Sequence, residues 1–227
     1  MKLIVFVCLT LCVVVGLVVA CSDTTELSGK ETTLKFTHDD FQTVNIKGFW
    51  NTTIEHGDTF SVEVRADEAL ADHVVVGKDD GVLTLSTKSN GWKGVNKAVV
   101  ATITMPSLRA IESSGAGEVT LVGFEQDELF IDVSGATSMK ASDSSVNKLL
   151  LNVSGASSLE LTGLRSHDAV IDVSGAGRIT LNMTGGALTG DISGAGDIRY
   201  CGSVSSESIS RSGITAVKAL SASECQR

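Results

Sequence analysis

Proline, aromatic residues and histidine are all scarce in this sequence. Its 227 residues include one proline, four histidines and 4% aromatic residues, against 23 glycines. So few aromatic side chains argue against a β-sandwich built around large aromatic plugs, whereas abundant glycine suits short strands joined by tight turns. The hydrophobic fraction of 42% is enough to fill a core and argues against a disordered chain.

Positive charge is also in short supply. The chain carries 18 Lys and Arg against 27 Asp and Glu, a formal net charge of −9. A nucleic-acid groove needs a clustered Lys/Arg surface, which the sequence lacks, so we expect no nucleic-acid partner. The histidines show no spacing typical of a metal site, and we expect neither a metal nor another cofactor. They are His38, His56, His73 and His167.

The N-terminus reads as an export signal. Residues 1–20 hold one lysine followed by an unbroken apolar run. The run approaches the length of a membrane span, so an uncleaved anchor is the rival interpretation. The residues that follow decide between them, because Val18-Val19-Ala20-Cys21 resembles a bacterial lipobox. We therefore predict cleavage after residue 20, a lipid anchor on Cys21 that binds a membrane, a polar tether over 21–33, and a place in the cell envelope at the outer membrane.

Two cysteines remain once the N-terminal ones are assigned. Cys8 and Cys12 fall in the export signal, and Cys21 is taken by lipid. Cys201 and Cys225 are left, and an oxidising compartment permits a disulfide between them that would hold the C-terminal end. Whether they pair is open from the sequence.

Residues 34–105 form an irregular β region. Short runs of alternating polarity, such as Phe60–Val64, Val82–Leu85 and Val99–Ile103, are separated by Gly, Asp and Asn turn signals. Each run predicts a strand with one buried face, and the region is expected to continue into the regular half of the chain.

Residues 106–220 form a repeat marked by Ser-Gly steps, with a C-terminal tail over 221–227. Successive steps lie 20, 20, 20, 19 and 19 residues apart. The serines of these steps are Ser114, Ser134, Ser154, Ser174, Ser193 and Ser212. Apolar residues stand one and three positions before most serines and five and seven positions after them, which places two inward-facing strands in each repeat. We expect the glycine between them to form a corner in a left-handed or otherwise restricted conformation.

A unit of about 20 residues cannot bury its apolar face alone, but stacking coils about 4.8 Å apart buries it and satisfies the strand hydrogen bonds. The sequence therefore predicts an all-β parallel solenoid with a more irregular N-terminal half. An antiparallel series of hairpins has the same period and stays open as the alternative.

One outward position of the repeat is mostly acidic. Two residues before the serines stand Glu112, Asp132, Asn152, Asp172 and Asp191. In a parallel stack these side chains form a column of oxygen atoms about 4.8 Å apart. One interpretation is a strip that binds a cation or sugar hydroxyls, and the other is a solvated acidic face. The serine column itself has no fixed histidine partner and is interpreted as structural, so no catalytic residue is predicted.

Several motifs resemble one family of bacterial envelope proteins, the putative auto-transporter adhesin, head GIN domain family. They are Phe41–Val44, Thr52–Asp58, Val62–Asp67, Pro106–Leu108 before Ser114–Gly117, and Ile192–Gly202. The likeness runs from about residue 36 to 219. It implies a right-handed β-helix-like fold and an envelope location, and it supplies no catalytic residues.

The leading functional hypothesis is a membrane-anchored, non-enzymatic adhesion or interaction module with a glycan or protein surface as partner. The alternative is a polysaccharide-binding or pectinase-like polysaccharide-degrading β-helix, with Asp132, Asp172 and Asp191 as its candidate carboxylates. A third hypothesis, a carrier of hydrophobic ligands, requires a cavity that the filled apolar columns do not predict.

Overall fold

The computed structural model describes residues 27–88 and 98–225. The predicted export signal and Cys21 lie outside these residues. Within them the chain forms eighteen strands and one short 3₁₀ helix, Glu68–His73, which confirms the all-β prediction. The strands are β1 Glu31–Phe36, β2 Thr43–Ile46, β3 Phe49–His56, β4 Ser61–Asp67, β5 Val74–Asp79, β6 Val82–Thr87, β7 Val99–Met105, β8 Ala110–Ser113, β9 Ala116–Val122, β10 Glu125–Val133, β11 Ala136–Ser142, β12 Ser144–Val153, β13 Ala156–Val173, β14 Ala176–Thr184, β15 Ala187–Ile192, β16 Ala195–Ser203, β17 Ser206–Arg211 and β18 Ala216–Ala219.

Two parallel β-sheets run the length of the molecule. The first sheet has the order β6-β2-β8-β10-β12-β13-β15-β17. The second has the order β7-β3-β9-β11-β13-β14-β16-β18, and β13 is long enough to contribute to both. From β8 onward each of six coils gives one strand to each sheet, so the parallel solenoid is confirmed and the antiparallel hairpin alternative is wrong for the repeat.

The Ser-Gly steps form the corner between the two sheets. At the central corners the amides on either side of the glycine donate to the neighbouring coil, as Ser154 does to Val133 O (2.9 Å) and Ala156 to Gly135 O (3.1 Å). Of the left-handed or otherwise restricted conformations expected for the corner glycine, the left-handed one occurs only at the two ends, in Gly48 and Gly213, and not at the central corners. The central glycines are required because a β-carbon would overlap the carbonyl oxygen of the glycine one coil away. They are Gly115, Gly135, Gly155, Gly175 and Gly194.

The N-terminal region extends the same stack in an order that differs from the chain order. Strands β2 and β3 lie between the β6/β7 coil, which follows them in sequence, and the β8/β9 coil. Beyond β6 and β7, three antiparallel strands close this end of the solenoid: β4 on β7, β1 on β4, and β5 on β6. These strands cover edges that would otherwise expose unpaired backbone groups.

The tether predicted over 21–33 overlaps the first strand, since β1 begins at Glu31. Just before it, the chain is held by the buried side chain of Asp67, which accepts hydrogen bonds from Ser28 N (2.9 Å), Ser28 Oγ (2.8 Å) and Gly29 N (2.9 Å). Burial alone would raise the pKa of Asp67, but these bonds and one from the amide of Ala69 lower it to about 2. The chain thus enters the solenoid at its closed end.

The core consists of columns of like residues stacked coil on coil. Along one of them Val133, Val153 and Val173 lie in register and are at most 2% exposed. Phe124 and Leu164, on a short third side of the coils, are equally buried. Burial of so continuous an apolar column is what stabilises coils that could not fold singly.

In the last coil, charged side chains occupy two of the inward column positions, one of them the position of these valines. Glu207 and Arg211 pair in register with the buried Leu188 and Ile192 of the coil before. Arg211 Nη2 donates to Glu207 Oε1 (2.7 Å), and the hydroxyl of Tyr200 donates to Glu207 Oε2 (3.2 Å). Inward-pointing charges at a sheet edge oppose pairing with another chain, so this ion pair gives the last coil a polar end.

Candidate binding face

The outward side of the first sheet carries the acidic column in the predicted register. Asp132 lies between Glu112 and Asn152, and Asp172 lies between Asn152 and Asp191. Asn45 of β2 extends the column by one coil, and its Nδ2 donates to Glu112 Oε2 (2.9 Å). Asn152 interrupts what would otherwise be a continuous row of like charges, and Asn45 ends the row.

A second outward column, which the sequence interpretation missed, runs beside the acidic one. It lies two residues before the acidic positions and is largely apolar. In register it consists of Val82, Thr43, Ala110, Phe130, Leu150 and Val170, and it ends at Thr189. Phe130 and Leu150 are partly exposed and Val170 is 38% exposed. We call these residues from Val82 to Val170 the apolar column.

A third outward column borders the apolar column on the side away from the Ser-Gly corner. It carries Glu128, Lys148 and Asp168 on successive coils. Lys148 Nζ lies 3.6 Å from Glu128 Oε2, and Asp168 Oδ1 accepts a hydrogen bond from the amide of Ala187 (2.7 Å). The apolar column is therefore a trough between two polar borders.

The N-terminal part of this trough is a groove of about 860 Å³. Its floor is the apolar column from Val82 to Leu150. Loops of the closed end and the side chains beside the floor form its walls. The wall residues are Asp40, Gln42, Lys78, Asp80, Gly81, Arg109, Glu112 and Glu128. A concave surface that combines an apolar floor with a few polar groups at its rim is the usual form of a ligand site.

The family is identified by its sequence model. The model described as "Putative auto-transporter adhesin, head GIN domain" matches residues 40–204. The chain belongs to this family. No curated protein matches the chain.

The fold is shared with solved structures, among them the following two. A putative adhesin from Bacteroides fragilis NCTC 9343 is 21% identical with a TM-score of 0.67, over 86% of this chain and 99% of that one. A putative lipid binding protein from Parabacteroides distasonis ATCC 8503 is 17% identical with a TM-score of 0.50, over 86% and 98%. At these identities the likeness establishes the architecture of this head GIN domain.

The outward side of the second sheet offers a smaller and more fully paired site. A cavity of about 280 Å³ lies there under the C-terminal tail, next to Arg178 and Arg199. Both arginines contact Asp197, with Arg199 Nη2 at 2.6 Å and Arg178 Nε at 3.5 Å from Asp197 Oδ2. The hydrogen bond from Arg199 is the main cause that lowers the pKa of Asp197. Both arginines are paired with Asp197, and only the buried Nε of Arg199 lacks a hydrogen-bond partner, so this face is the weaker candidate.

The cysteines Cys201 and Cys225 are joined by a disulfide in the structure. Cys201 belongs to β16, so the bond fixes the tail against the side of the second sheet. The predicted tail from residue 221 thus folds back on the solenoid, and Ser221 and Lys218 both donate hydrogen bonds to Glu224.

The other candidate residues from the sequence, the repeated serines and the histidines, do not come together in one site. The serines of the Ser-Gly steps are exposed at the corner, and Ser134 Oγ contacts the carbonyl of Ser113 at 3.5 Å. His56 packs edge-on against Phe124, with ring centroids 5.7 Å apart. Across residues 27–88 and 98–225, no group of three or more His, Cys, Asp or Glu side chains is placed to hold a metal ion. In the same described residues, no helix has the length and hydropathy needed to cross a membrane.

Proposed function

We propose that this protein is a lipid-anchored, non-enzymatic adhesion module of the bacterial cell envelope, attached through Cys21 to the outer membrane, and that it binds its partner with the groove on the first sheet. The observation that carries the proposal is the groove itself. It is a concave, partly apolar surface on the side of the solenoid, and its floor spans five coils.

Anchoring agrees with the way the chain enters the fold. Leu27 is the first described residue, six positions after Cys21. Fully extended, six residues span about 20 Å. The hydrogen bonds from Ser28 and Gly29 to Asp67 then fix the closed end. A lipid on Cys21 would hold that end close to the membrane and leave the groove on the side of the solenoid accessible.

The adhesion role agrees with the family description and with the name of the Bacteroides relative. The Parabacteroides relative is named as a putative lipid binding protein. The hypothesis of a hydrophobic-ligand carrier, however, requires a cavity. In the described coils the inward positions are filled by buried Val, Leu and Ile side chains. Binding at the surface is therefore the better supported activity.

Lipid anchoring is tested by Cys21→Ser in the producing bacterium, with Cys12→Ser as the matched control. We expect wild type and Cys12→Ser to incorporate labelled palmitate and to sediment with the membrane. We expect Cys21→Ser to lose the label and to appear in the soluble envelope fraction. Continued labelling and sedimentation of Cys21→Ser would contradict the anchor.

Adhesion is tested with a deletion strain complemented by the wild-type gene or by Cys21→Ser. Adherence to polysaccharide-coated and protein-coated surfaces should return with the wild type and not with the unanchored variant. A deletion strain that adheres as well as its parent would overturn the adhesion role.

The alternative function, a polysaccharide-degrading enzyme, is tested by measuring whether polysaccharide chains are shortened. The purified protein is incubated with neutral and acidic polysaccharides, and the products are separated by size. We expect no shortening of the chains. Product formation by the wild type that is lost in Asp172→Ala would establish a polysaccharide-degrading enzyme in place of a binding module.

A further inference from the structure

The floor of the groove repeats once per coil. Val82, Thr43, Ala110, Phe130 and Leu150 lie on five successive coils and face outward at the same position. Neighbouring strands of a sheet are about 4.8 Å apart, so the floor is a straight row of side chains with that repeat. A surface with a fixed short repeat is best matched by a ligand whose units advance by the same length.

We propose that the groove binds a linear, uncharged oligosaccharide of extended β-1,4 linkage, laid along the solenoid axis with one sugar ring per coil. The proposal rests on the proposed function and names the ligand class of the same site. A ring of such a chain advances by nearly the spacing between coils, so each floor position meets one ring. Because successive rings are turned over relative to one another, they present their two C–H faces to the floor alternately.

The chemistry of the floor and borders suits a pyranose ring. A sugar ring has apolar C–H faces, and its hydroxyl groups point outward around its edge. Phe130, at the fourth of the five floor positions, provides an aromatic surface for one such face. Beside it, Asp132 on one border and Glu128 on the other carry carboxylate oxygens that can accept hydrogen bonds from ring hydroxyls.

The charges of the groove argue against an acidic ligand. Four carboxylates line it, from Asp40, Asp80, Glu112 and Glu128, against two cations, from Lys78 and Arg109, and a third cation, Lys148, lies beside the groove at 3.6 Å from Glu128. The net negative charge repels uronic acids and phosphates. Lys78 and Arg109 form no ion pair of their own among those found in the described part of the chain, and they remain free to donate to hydroxyl or ring oxygens.

The repeat of the floor argues against an extended peptide. Side chains on one face of a strand recur every two residues, or about 6.7 Å. Because this spacing is longer than the distance of about 4.8 Å between coils, the side chains of a peptide would lose register with the floor positions within two coils. An amphipathic basic peptide would match the negative charge of the groove but not the spacing of its floor.

The test is calorimetric titration of the full-length protein in detergent with β-1,4-linked gluco-, manno- and xylo-oligosaccharides of two to six rings. We expect at least one series to bind, with affinity that rises with each added ring up to about five rings, because the floor offers five positions. Acidic oligosaccharides and a lysine-rich peptide of similar length should bind more weakly.

Phe130→Ala is the diagnostic variant, and Phe49→Ala is its matched control. Phe49 is 37% exposed at the start of β3, outside the groove. Loss of the aromatic surface in Phe130→Ala should weaken binding about tenfold. Phe49→Ala should bind as the wild type does. Circular dichroism and the midpoint of urea unfolding show that both variants keep the fold.

Three results would each overturn the inference. They are no binding in any neutral series, tighter binding of an acidic glycan or the lysine-rich peptide, and unchanged binding by folded Phe130→Ala. If wild-type cells still adhere while the neutral series fail to bind, only the ligand class is wrong. If adherence itself does not depend on the protein, the proposed function fails with it.

Discussion

The central glycine corners should be intolerant of any side chain, and Gly155→Ala measures this directly. A β-carbon at residue 155 would overlap the carbonyl oxygen of Gly135, so the two coils must separate locally. That movement lengthens the hydrogen bonds from Ser154 to Val133 (2.9 Å) and from Ala156 to Gly135 (3.1 Å). Each bond contributes about 1 kcal/mol, and forcing an extra methyl group into a packed site costs about 1–3 kcal/mol. We expect a loss of about 4 kcal/mol in the free energy of unfolding.

Urea unfolding followed by circular dichroism measures this loss. The variant Gly155→Asn then distinguishes two reasons why residue 155 is glycine, namely its backbone conformation and its contact with the neighbouring coil. If the backbone conformation were the reason, Gly155→Asn would be better tolerated than Gly155→Ala, because asparagine adopts the left-handed region more easily. If the neighbouring coil is the reason, Gly155→Asn is at least as destabilising.

Gly81 serves as the control for this comparison. It has φ +74, and no atom lies within 4 Å of the position that a β-carbon would take, so asparagine should be accepted there at a cost below about 1 kcal/mol. A Gly155→Ala protein within about 0.5 kcal/mol of the wild type would refute the reasoning about the coil contact.

The disulfide and the Asp67 cluster give two further predictions. Cys225→Ser should lower the free energy of unfolding by about 3 kcal/mol, since the bond to Cys201 closes a loop with a sequence separation of 24. If the urea midpoint of the wild type is the same with and without reductant, this prediction is wrong. Asp67 has a folded pKa of about 2, below the value near 3.9 expected when unfolded, so its stabilising effect is complete above about pH 4 and is lost as the pH falls towards 2. Asp67→Asn should therefore flatten the pH dependence of the thermal midpoint between pH 4 and 2, and a curve unchanged from the wild type would show that the bonds from Ser28 and Gly29 do not stabilise the fold.

The apolar column shows that a repeat can be assigned correctly from the sequence while one of its outward columns is missed. Leu149, Leu150 and Leu151 are consecutive, and only the middle one faces outward. An alternating pattern separates the two faces of a strand only when one of them is polar, and here both are apolar. The 20-residue recurrence of Phe130, Leu150 and Val170 was present in the sequence as a signal. It could be assigned to the surface only once the inward positions were fixed by packing.

Arg211 illustrates the same limit at the end of the solenoid. By its position in the repeat it replaces an apolar inward residue, which predicts poor pairing of the last coil. In the structure β17 pairs with β15 through Arg211, because Glu207 lies on the same inward side and accepts its hydrogen bond. A single sequence does not show which two charged residues of a strand will meet.

The sequence by itself determined the length of the coil, the two inward strands, the Ser-Gly corner and the register of the acidic column. These follow from local periodicity, because stacking identical units brings like positions together wherever the coils lie. Only the tertiary structure decided that β2 and β3 enter the stack between β6/β7 and β8/β9, and that antiparallel strands close the end beside them. Such pairings join residues far apart in the chain, and they depend on which edges remain to be covered once the coils have formed. The groove lies where that closed end meets the regular coils. The repeat of the sequence accounts for the floor positions Ala110, Phe130 and Leu150, whereas Val82, Thr43 and the walls beside them are placed there by the tertiary pairing.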